Sequence, residues 1–493
     1  MIVEKRKKTV VKNLVNKYRS MSPQVKAGIW FFVCNVVQKG IGVITTPIFT
    51  RLMTTDQYGI YTIYQSWRDI LSIFITFAMA SSVYMKKMVD LDTQKEKNQL
   101  TCALQGLATL TTIIGLIIYL PFRDFWNQLL HLPTMAVLCI FVSVLFTTGF
   151  DFWAARARIN YKYRALVIVT ILVAVFKPVA AIIAMKNVTE TAYARIYSVT
   201  GVELICFFSI YLLNFASREK PYNGKYWKYA MLFVLPLIPH FLSQRILSQS
   251  DRIMIESMVG KSEAGIYGLA NSIGWILSIV VTSIDGVMAP WAYSNIKSNN
   301  YGQIKKISLY TIIGMALLSF GFIIIAPEVV SIFAPAEYHE AIWTLPPLII
   351  STYLMLVYFY FIYFEYYFEE TKKIMIATVS SAALNIALNF YCIRLFGYIA
   401  AGYTTLVCYM AYTLFHYFAF VNTCKKHGIS QNPYNTKLFL LVSVLLTAVG
   451  LGAMALYNLP IARYLLIGVL FIIAILRKDR IISVYRDIQS GRK

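Results

Sequence analysis

Runs of about twenty apolar residues recur from one end of this chain to the other, and each is long enough to cross a bilayer as a helix. Inside hydrocarbon the backbone amide groups must bond within their own segment, so helices are the structure to expect. Hydrophobic residues make up 58% of the 493 residues and charged residues only 14%, which leaves too little polar surface for a soluble shell. The chain is therefore predicted to be an all-α polytopic membrane protein with no soluble domain.

The apolar windows predict fourteen transmembrane helices, with boundaries good to about three residues. They cover residues 25–48, 57–83, 99–120, 134–155, 163–185, 191–214, 229–253, 263–290, 307–326, 340–364, 372–391, 396–421, 437–457 and 461–477.

The distribution of Lys and Arg tests this count and sets the orientation. Alternate loops together with both termini carry 34 of the 46 basic residues, the opposite loops carry seven, and five lie within helices. This asymmetry predicts an even number of spans with both termini in the cytoplasm. The formal charge of +23 is then mainly a topology signal that faces anionic lipid, which argues against a nucleic-acid partner.

The two ends of the chain are basic. Residues 1–24 carry apolar side chains at helical spacing and predict an amphipathic segment on the inner membrane surface, and residues 478–493 form a basic cytoplasmic tail. No cleavable signal peptide is indicated, because the first apolar segment is a full span. The seven cysteines and five histidines are scattered, so neither a disulfide framework nor a metal site is predicted, and no cofactor is expected.

The chain also matches itself at an offset of 206 residues. Gly59-Ile60-Tyr61 aligns with Gly265-Ile266-Tyr267, and Ile70-Leu71-Ser72-Ile73 aligns with Ile276-Leu277-Ser278-Ile279 without a gap. Because the offset equals six spans, both copies keep the same orientation, which predicts two lobes related by an axis along the membrane normal. The predicted lobes are residues 25–214 and 229–421, followed by two C-terminal helices in 437–477.

Charged residues inside the predicted helices are candidates for a transport site, because a charge at mid-bilayer costs at least about 2.5–3.5 kcal/mol. Four cations fall in the outer half of the membrane and a fifth lies next to the outer interface; in order they are Lys39, Arg68, Lys177, Arg245 and Arg252. One interpretation is a water-filled cavity between the lobes that binds an anionic group, since Arg and Lys bind phosphate oxygens. In the other, the cations pair with Asp69, Glu203 or Asp251 and lock the bundle, or snorkel outward. The acids Asp69, Glu203 and Asp285 could also carry a coupling ion, H⁺ or Na⁺.

Several motifs resemble those of bacterial polysaccharide flippases of the O-antigen type. They include Pro47-Ile48-Phe49-Thr50-Arg51-Leu52-Met53, Ser250-Asp251-Arg252-Ile253-Met254-Ile255 with Ala289-Pro290-Trp291, and Asn385-Ile386-Ala387-Leu388-Asn389. The resemblance covers almost the whole chain. It implies membership of the multidrug/oligosaccharidyl-lipid/polysaccharide (MOP) exporter superfamily.

This resemblance implies a flippase that moves undecaprenyl-pyrophosphate-linked oligosaccharides from the inner to the outer leaflet of the bacterial cytoplasmic membrane. The implied partners are that lipid-linked substrate, anionic lipids, a polysaccharide polymerase and glycosyltransferases. The expected protein is a transporter and not an enzyme. Energy would come from an ion gradient or from downstream polymerisation, because the sequence has no glycine-rich phosphate-binding loop.

Two alternatives stay open at this point. A multidrug exporter of the same superfamily would favour acidic residues in its cavity for cationic drugs, whereas the first helix here offers Lys39. A membrane glycosyltransferase or polysaccharide polymerase would usually need a sizeable outward loop for catalysis, and the outward loops predicted here are short.

Overall fold

A computed structural model describes residues 22–476, and these residues form helices joined by short turns. The predicted segment 1–24 and the tail 478–493 therefore lie almost wholly outside the described residues. In chain order the helices are α1 (Pro23–Leu52), α2 (Thr55–Thr76), α3 (Val83–Asp90), α4 (Gln94–Tyr119), α5 (Arg123–Leu130), α6 (Thr134–Ile159), α7 (Tyr163–Met185), α8 (Thr191–Phe215), α9 (Gly224–Val234), α10 (Ile238–Met258), α11 (Lys261–Lys297), α12 (Tyr301–Ile324), α13 (Ala326–Phe333), α14 (Ala341–Tyr367), α15 (Thr371–Phe396), α16 (Ala400–Lys426), α17 (Thr436–Gly452) and α18 (Pro460–Leu476).

Within residues 22–476, twelve helices are long and apolar enough to cross a membrane. Two of them are composite, because α4 runs on through a 3₁₀ turn into α5, and α9 runs on through another into α10. The more polar α2 and the short apolar α18 occupy the positions of the predicted second and fourteenth spans. The prediction of a polytopic helical protein with about fourteen helices is therefore confirmed.

The largest difference from the prediction lies between the second and third spans. The predicted helix 57–83 ends earlier, at Thr76, where Phe77 and Ala78 adopt positive φ angles that an α-helix does not contain. The predicted loop that follows contains α3, whose Val83, Tyr84 and Met88 are buried while Lys86 and Lys87 face the aromatic rings of Phe233 and Tyr229. An eight-residue amphipathic helix is too short to appear as an apolar span.

The described chain divides into two compact units. One consists of residues up to Thr45 together with Trp67–Ile238, and the other of Thr46–Ser66 with the chain from Pro239 onward. A core of the first unit packs α3 and α4 against α9, around Met79, Tyr84, Phe152 and Val234. In the second unit α14 is central, because most of its side chains are buried. Thr46–Ser66 lies in the predicted first lobe by sequence, and the predicted lobe boundaries stay a prediction.

The aligned glycines of the internal repeat meet in the second unit. A Cβ atom added to Gly59 would lie 1.9 Å from the carbonyl oxygen of Lys261, and one added to Gly265 would lie 2.1 Å from that of Thr55. Thr55 and Lys261 are themselves 206 residues apart, and each lies four residues before the glycine of its own copy. The two contacts are therefore equivalent: each glycine packs against the same position of the other copy. This reciprocal contact brings the backbones of α2 and α11 together, as small residues do in membrane helix pairs.

We predict that Gly265→Ala destabilises the protein by about 1–3 kcal/mol, because the added methyl group overlaps a carbonyl oxygen that belongs to a rigid helix. Gly314→Ala on α12 is the matched control, since a methyl group added there would meet no other element of the described chain within 4 Å. Thermal unfolding of the purified protein, followed by tryptophan fluorescence, measures both. Equal melting temperatures for the two variants would contradict the close contact.

Candidate functional site

Three of the predicted site residues form one cluster in the first unit. Glu203 on α8 is 1% exposed, and its Oε1 atom accepts bonds from Arg68 Nη2 on α2 at 3.0 Å and from Lys177 Nζ on α7 at 2.6 Å. Its Oε2 atom accepts a hydrogen bond from the hydroxyl of Ser143 on α6. Four helices thus converge on one buried carboxylate.

Two cations share the carboxylate of Glu203. Arg68 and Lys177 together carry two positive charges and Glu203 carries one negative charge, and Asp151 on α6 also interacts electrostatically with both cations. The side chains of Arg68 and Lys177 are 21% and 29% exposed, whereas Glu203 is closed off. Part of each cation is therefore accessible to an anion, and Glu203 holds both in place.

Arg252 and Asp251 are neighbours on α10 in the second unit but bind different partners. Arg252 donates to Gln249 Oε1 at 3.1 Å and to Asn271 Oδ1 at 2.9 Å. Asp251 is 2% exposed and accepts bonds from Tyr267, Asn389 and Thr405. Its carboxylate ties α10 to α11, α15 and α16.

The network around Asp251 continues on α15 and α16. Asn389 donates to Asn385 Oδ1 at 3.2 Å and accepts a hydrogen bond from Thr404, and Asn385 also accepts one from Ser250 at 2.7 Å. A cavity of about 50 Å³ adjoins Asp251, which is large enough for a water molecule. This network of buried hydroxyl and amide groups had no counterpart among the residues predicted as a site.

The remaining predicted residues lie outside these two groups. Lys39 on α1 and Arg245 on α10 are exposed, and Asp69 on α2 is half-buried beside Arg68. Asp285 on α11 is half-buried and accepts a hydrogen bond from the hydroxyl of Tyr363 at 2.8 Å. Of the eight predicted residues, the structure brings Arg68, Lys177 and Glu203 into one cluster.

Two features were not predicted from the sequence: the part that Ser143 takes in the cluster, and a second buried pair of ionisable residues. Ser143 is an ordinary small residue of an apolar helix, and only its position beside Glu203 shows its role. A fully buried pair of Glu365 and His416 in the second unit was also missed. Within residues 22–476, no group of three or more His, Cys, Asp or Glu side chains could hold a metal ion.

We predict that Glu203→Gln destabilises the protein by about 1.5–3 kcal/mol, because Arg68 and Lys177 lose the charged acceptor that they share. The loss should fall near the lower value, since both cations reach solvent. Arg68→Gln should cost less, because Lys177 still compensates Glu203. Thermal unfolding measures all variants, with Asp124→Asn as the control for an exposed pair (86% side-chain exposure). A Glu203→Gln variant as stable as Asp124→Asn would contradict the role of Glu203 as a shared acceptor.

Comparison with known proteins gives the family. A family model described as "Polysaccharide biosynthesis protein" matches residues 25–296, which is more than half of the chain. Protein 1 of the Lsg locus of Haemophilus influenzae is 22% identical over 387 residues, covering 74% of this chain and 91% of that protein.

Solved structures share the fold. The lipid II flippase MurJ in an inward closed conformation has a TM-score of 0.70 at 14% identity, covering 92% of this chain and all of MurJ. An inward-facing multidrug resistance MATE transporter of the MOP superfamily has a TM-score of 0.61 at 12% identity, covering 78% and 96%. The fold predicted from the motif resemblance is confirmed by these likenesses. With the match over residues 25–296, they lead to one conclusion: this chain belongs to the polysaccharide biosynthesis protein family of multi-pass membrane proteins.

Proposed function

We propose that this protein is a flippase that carries an undecaprenyl-pyrophosphate-linked oligosaccharide from the inner to the outer leaflet of a bacterial cytoplasmic membrane. Membership of the polysaccharide biosynthesis family and the fold shared with a lipid II flippase support transport of a lipid-linked sugar. The observation that carries the proposal is the Arg68–Lys177–Glu203 cluster, which holds two partly exposed cations on one buried carboxylate.

The cluster suits a pyrophosphate group. Arginine presents parallel N–H donors that match phosphate oxygens, and lysine adds a compact positive charge. In a site of low dielectric constant, a partly exposed cation attracts an anion more strongly than it would in water. The charged pyrophosphate is also the part of the substrate that crosses hydrocarbon least readily. The protein must therefore bind this group to move the substrate across the membrane.

Transport would proceed by alternating access, and no covalent bond would be made or broken. Lys39, Arg245 and Arg252 stay candidates for binding the head group. Asp69, Glu203 and Asp285 stay candidates for carrying a coupling H⁺ or Na⁺. Both termini would lie in the cytoplasm, where the basic loops face anionic lipid, and a polymerase and glycosyltransferases would act on the same substrate.

A second candidate is export of cationic drugs, favoured by the likeness to the MATE transporter. Such a substrate would meet Arg68 and Lys177 with like charge, so the cluster described above favours the anionic substrate. The two candidates differ in the charge of what is moved.

We predict that neutralising either Arg68 or Lys177 lowers the flipping rate about ten- to a hundredfold. The reason is that each variant loses one charge-assisted hydrogen bond to the substrate, which contributes about 1.5–3 kcal/mol. The variants are Arg68→Gln and Lys177→Met, with Lys39→Met, Arg245→Gln and Arg252→Gln alongside. Flipping of a fluorescent undecaprenyl-pyrophosphate sugar in proteoliposomes is the measurement. Arg123→Gln is the control, because Arg123 is 62% exposed and pairs with Asp124.

Two outcomes would contradict the proposal in different ways. Flipping retained in all five variants would reject the site and keep the function. Wild-type protein that moves no lipid-linked sugar but transports a cationic dye would replace the flippase by the drug exporter.

A further inference from the structure

A second pair of ionisable side chains lies inside the second unit. Nδ1 of His416 on α16 is 2.7 Å from Oε1 of Glu365 on α14, and both side chains are 0% exposed. Glu365 is two residues from the end of its helix, whereas His416 is in the interior of α16. The pair is therefore enclosed by protein but close to one end of the bundle.

The other polar atom of each residue has no hydrogen-bond partner within the described part of the chain. These atoms are Oε2 of Glu365 and Nε2 of His416. Aromatic rings surround the imidazole instead: Tyr358 stacks on it with a centroid separation of 5.8 Å, and Tyr412 meets it edge-on at 4.5 Å. The environment thus supplies one strong hydrogen bond, between the two residues themselves, and little else to stabilise charge.

This geometry favours a shared proton over an ion pair. As carboxylate and imidazolium, the pair would leave a charged oxygen and a charged N–H group unsatisfied in an apolar core, which is the most costly arrangement for a buried pair. As carboxylic acid and neutral imidazole, the O–H group of Glu365 donates a hydrogen bond to Nδ1 of His416 and keeps its proton, so no net or separated charge remains. Loss of that proton would leave a buried anion, so release requires contact with water.

The charged groups nearest this pair lie at the adjoining end of the helices. Glu370 accepts bonds from Lys426 Nζ at 2.7 Å and Lys373 Nζ at 3.4 Å, and its backbone N–H donates to the carbonyl oxygen of Glu365 at 2.8 Å. The hydrogen bond from Lys426 holds the pKa of Glu370 below its usual range, so Glu370 is ionised at neutral pH. A charged, partly exposed cluster therefore begins one turn beyond the buried pair, and the basic loops predict that this end faces the cytoplasm.

Besides Glu370, the titratable groups near the pair are three phenols and Lys373. Tyr358, Tyr366 and Tyr412 surround it from α14 and α16, and Lys373 approaches from α15. Asp285 on α11 is already bonded to Tyr363, on the same helix as Glu365.

A proton is the ligand that fits this pair. Among the described residues, Glu365 is the one carboxylate in direct contact with His416. A metal ion would need more ligands than these two side chains supply, whereas a single proton needs one donor and one acceptor at hydrogen-bond distance.

We propose that Glu365 and His416 together bind one exchangeable proton, and that this pair is where a proton enters and leaves during the transport cycle. The proton-binding part stands on the geometry of the pair alone. Its role in driving transport rests on the proposed flippase function. The pair differs from Asp69 and Asp285 in being closed to solvent. It differs from Glu203, which is also buried, in that its carboxylate contacts an imidazole that can take the proton instead of two permanent cations.

We predict that infrared spectra of the purified protein at pH 7 contain the C=O stretching band of a protonated carboxylic acid that is lost in Glu365→Gln. Glu328→Gln is the control, because Glu328 pairs with Arg463 and is partly exposed. In His416→Gln the band should remain but shift, because the acid changes its hydrogen-bond partner. Circular dichroism and gel filtration check that each variant folds.

If a carboxylate band of the wild-type spectrum is the one missing in Glu365→Gln, the two residues form an ion pair and the proposal is overturned. An unshifted acid band in His416→Gln would overturn it as well, and this second variant decides the matter if Glu365→Gln does not fold.

Proteoliposomes with an imposed pH gradient test the role in transport. The gradient should change the wild-type flipping rate and leave the rates of Glu365→Gln and His416→Gln unchanged, while both variants still flip substrate without a gradient. A gradient response that persists in both variants would reject the coupling role. Absence of flipping by wild-type protein would reject the flippase function and leave the infrared result standing.

Discussion

The structure depends on one constraint: a polar or charged group inside an apolar bundle must find its partner within the chain. Glu203 meets this constraint by binding Arg68, Lys177 and Ser143 from three other helices. Asp251 meets it through Tyr267, Asn389 and Thr405. Each carboxylate therefore fixes several helices at once. Leaving it unpaired in a low-dielectric core would cost more free energy than the loss of conformational entropy when those helices are ordered around it.

Most of the fold could be predicted from sequence, because length and hydropathy decide which segments span a membrane. The prediction was wrong where local geometry matters more than hydropathy. The second span ends at Thr76, although the apolar run continues, because Phe77 and Ala78 leave the helical conformation. The short amphipathic α3 has too few apolar residues to be predicted as a transmembrane helix. The repeat was visible in Gly59 and Gly265, but their contact is a property of three-dimensional packing that the alignment alone does not contain.

The candidate site was predictable by residue but not by pairing. Arg68, Lys177 and Glu203 stand out in sequence because charges are rare in such helices, yet nothing in their spacing shows that one acid serves both cations. Glu365 and His416 are 51 residues apart, and each lies among tyrosines and phenylalanines, so neither is distinctive until the helices are packed. A charged residue within an apolar segment can be recognised in the sequence. Its partner depends on which faces of the helices come into contact.

The shared carboxylate also bears on how the chain is made. Arg68 precedes Glu203 by 135 residues, and at the usual pace of about 5–20 residues per second the ribosome needs roughly 7–27 s to synthesise that interval. During this time the second helix has left the ribosome with its guanidinium still lacking the acid that later holds it. We expect the early helices to wait at the translocon or near the lipid head groups until α8, which carries Glu203, arrives. We therefore expect the helices that carry Arg68 and Glu203 to complete their insertion together, and not one at a time.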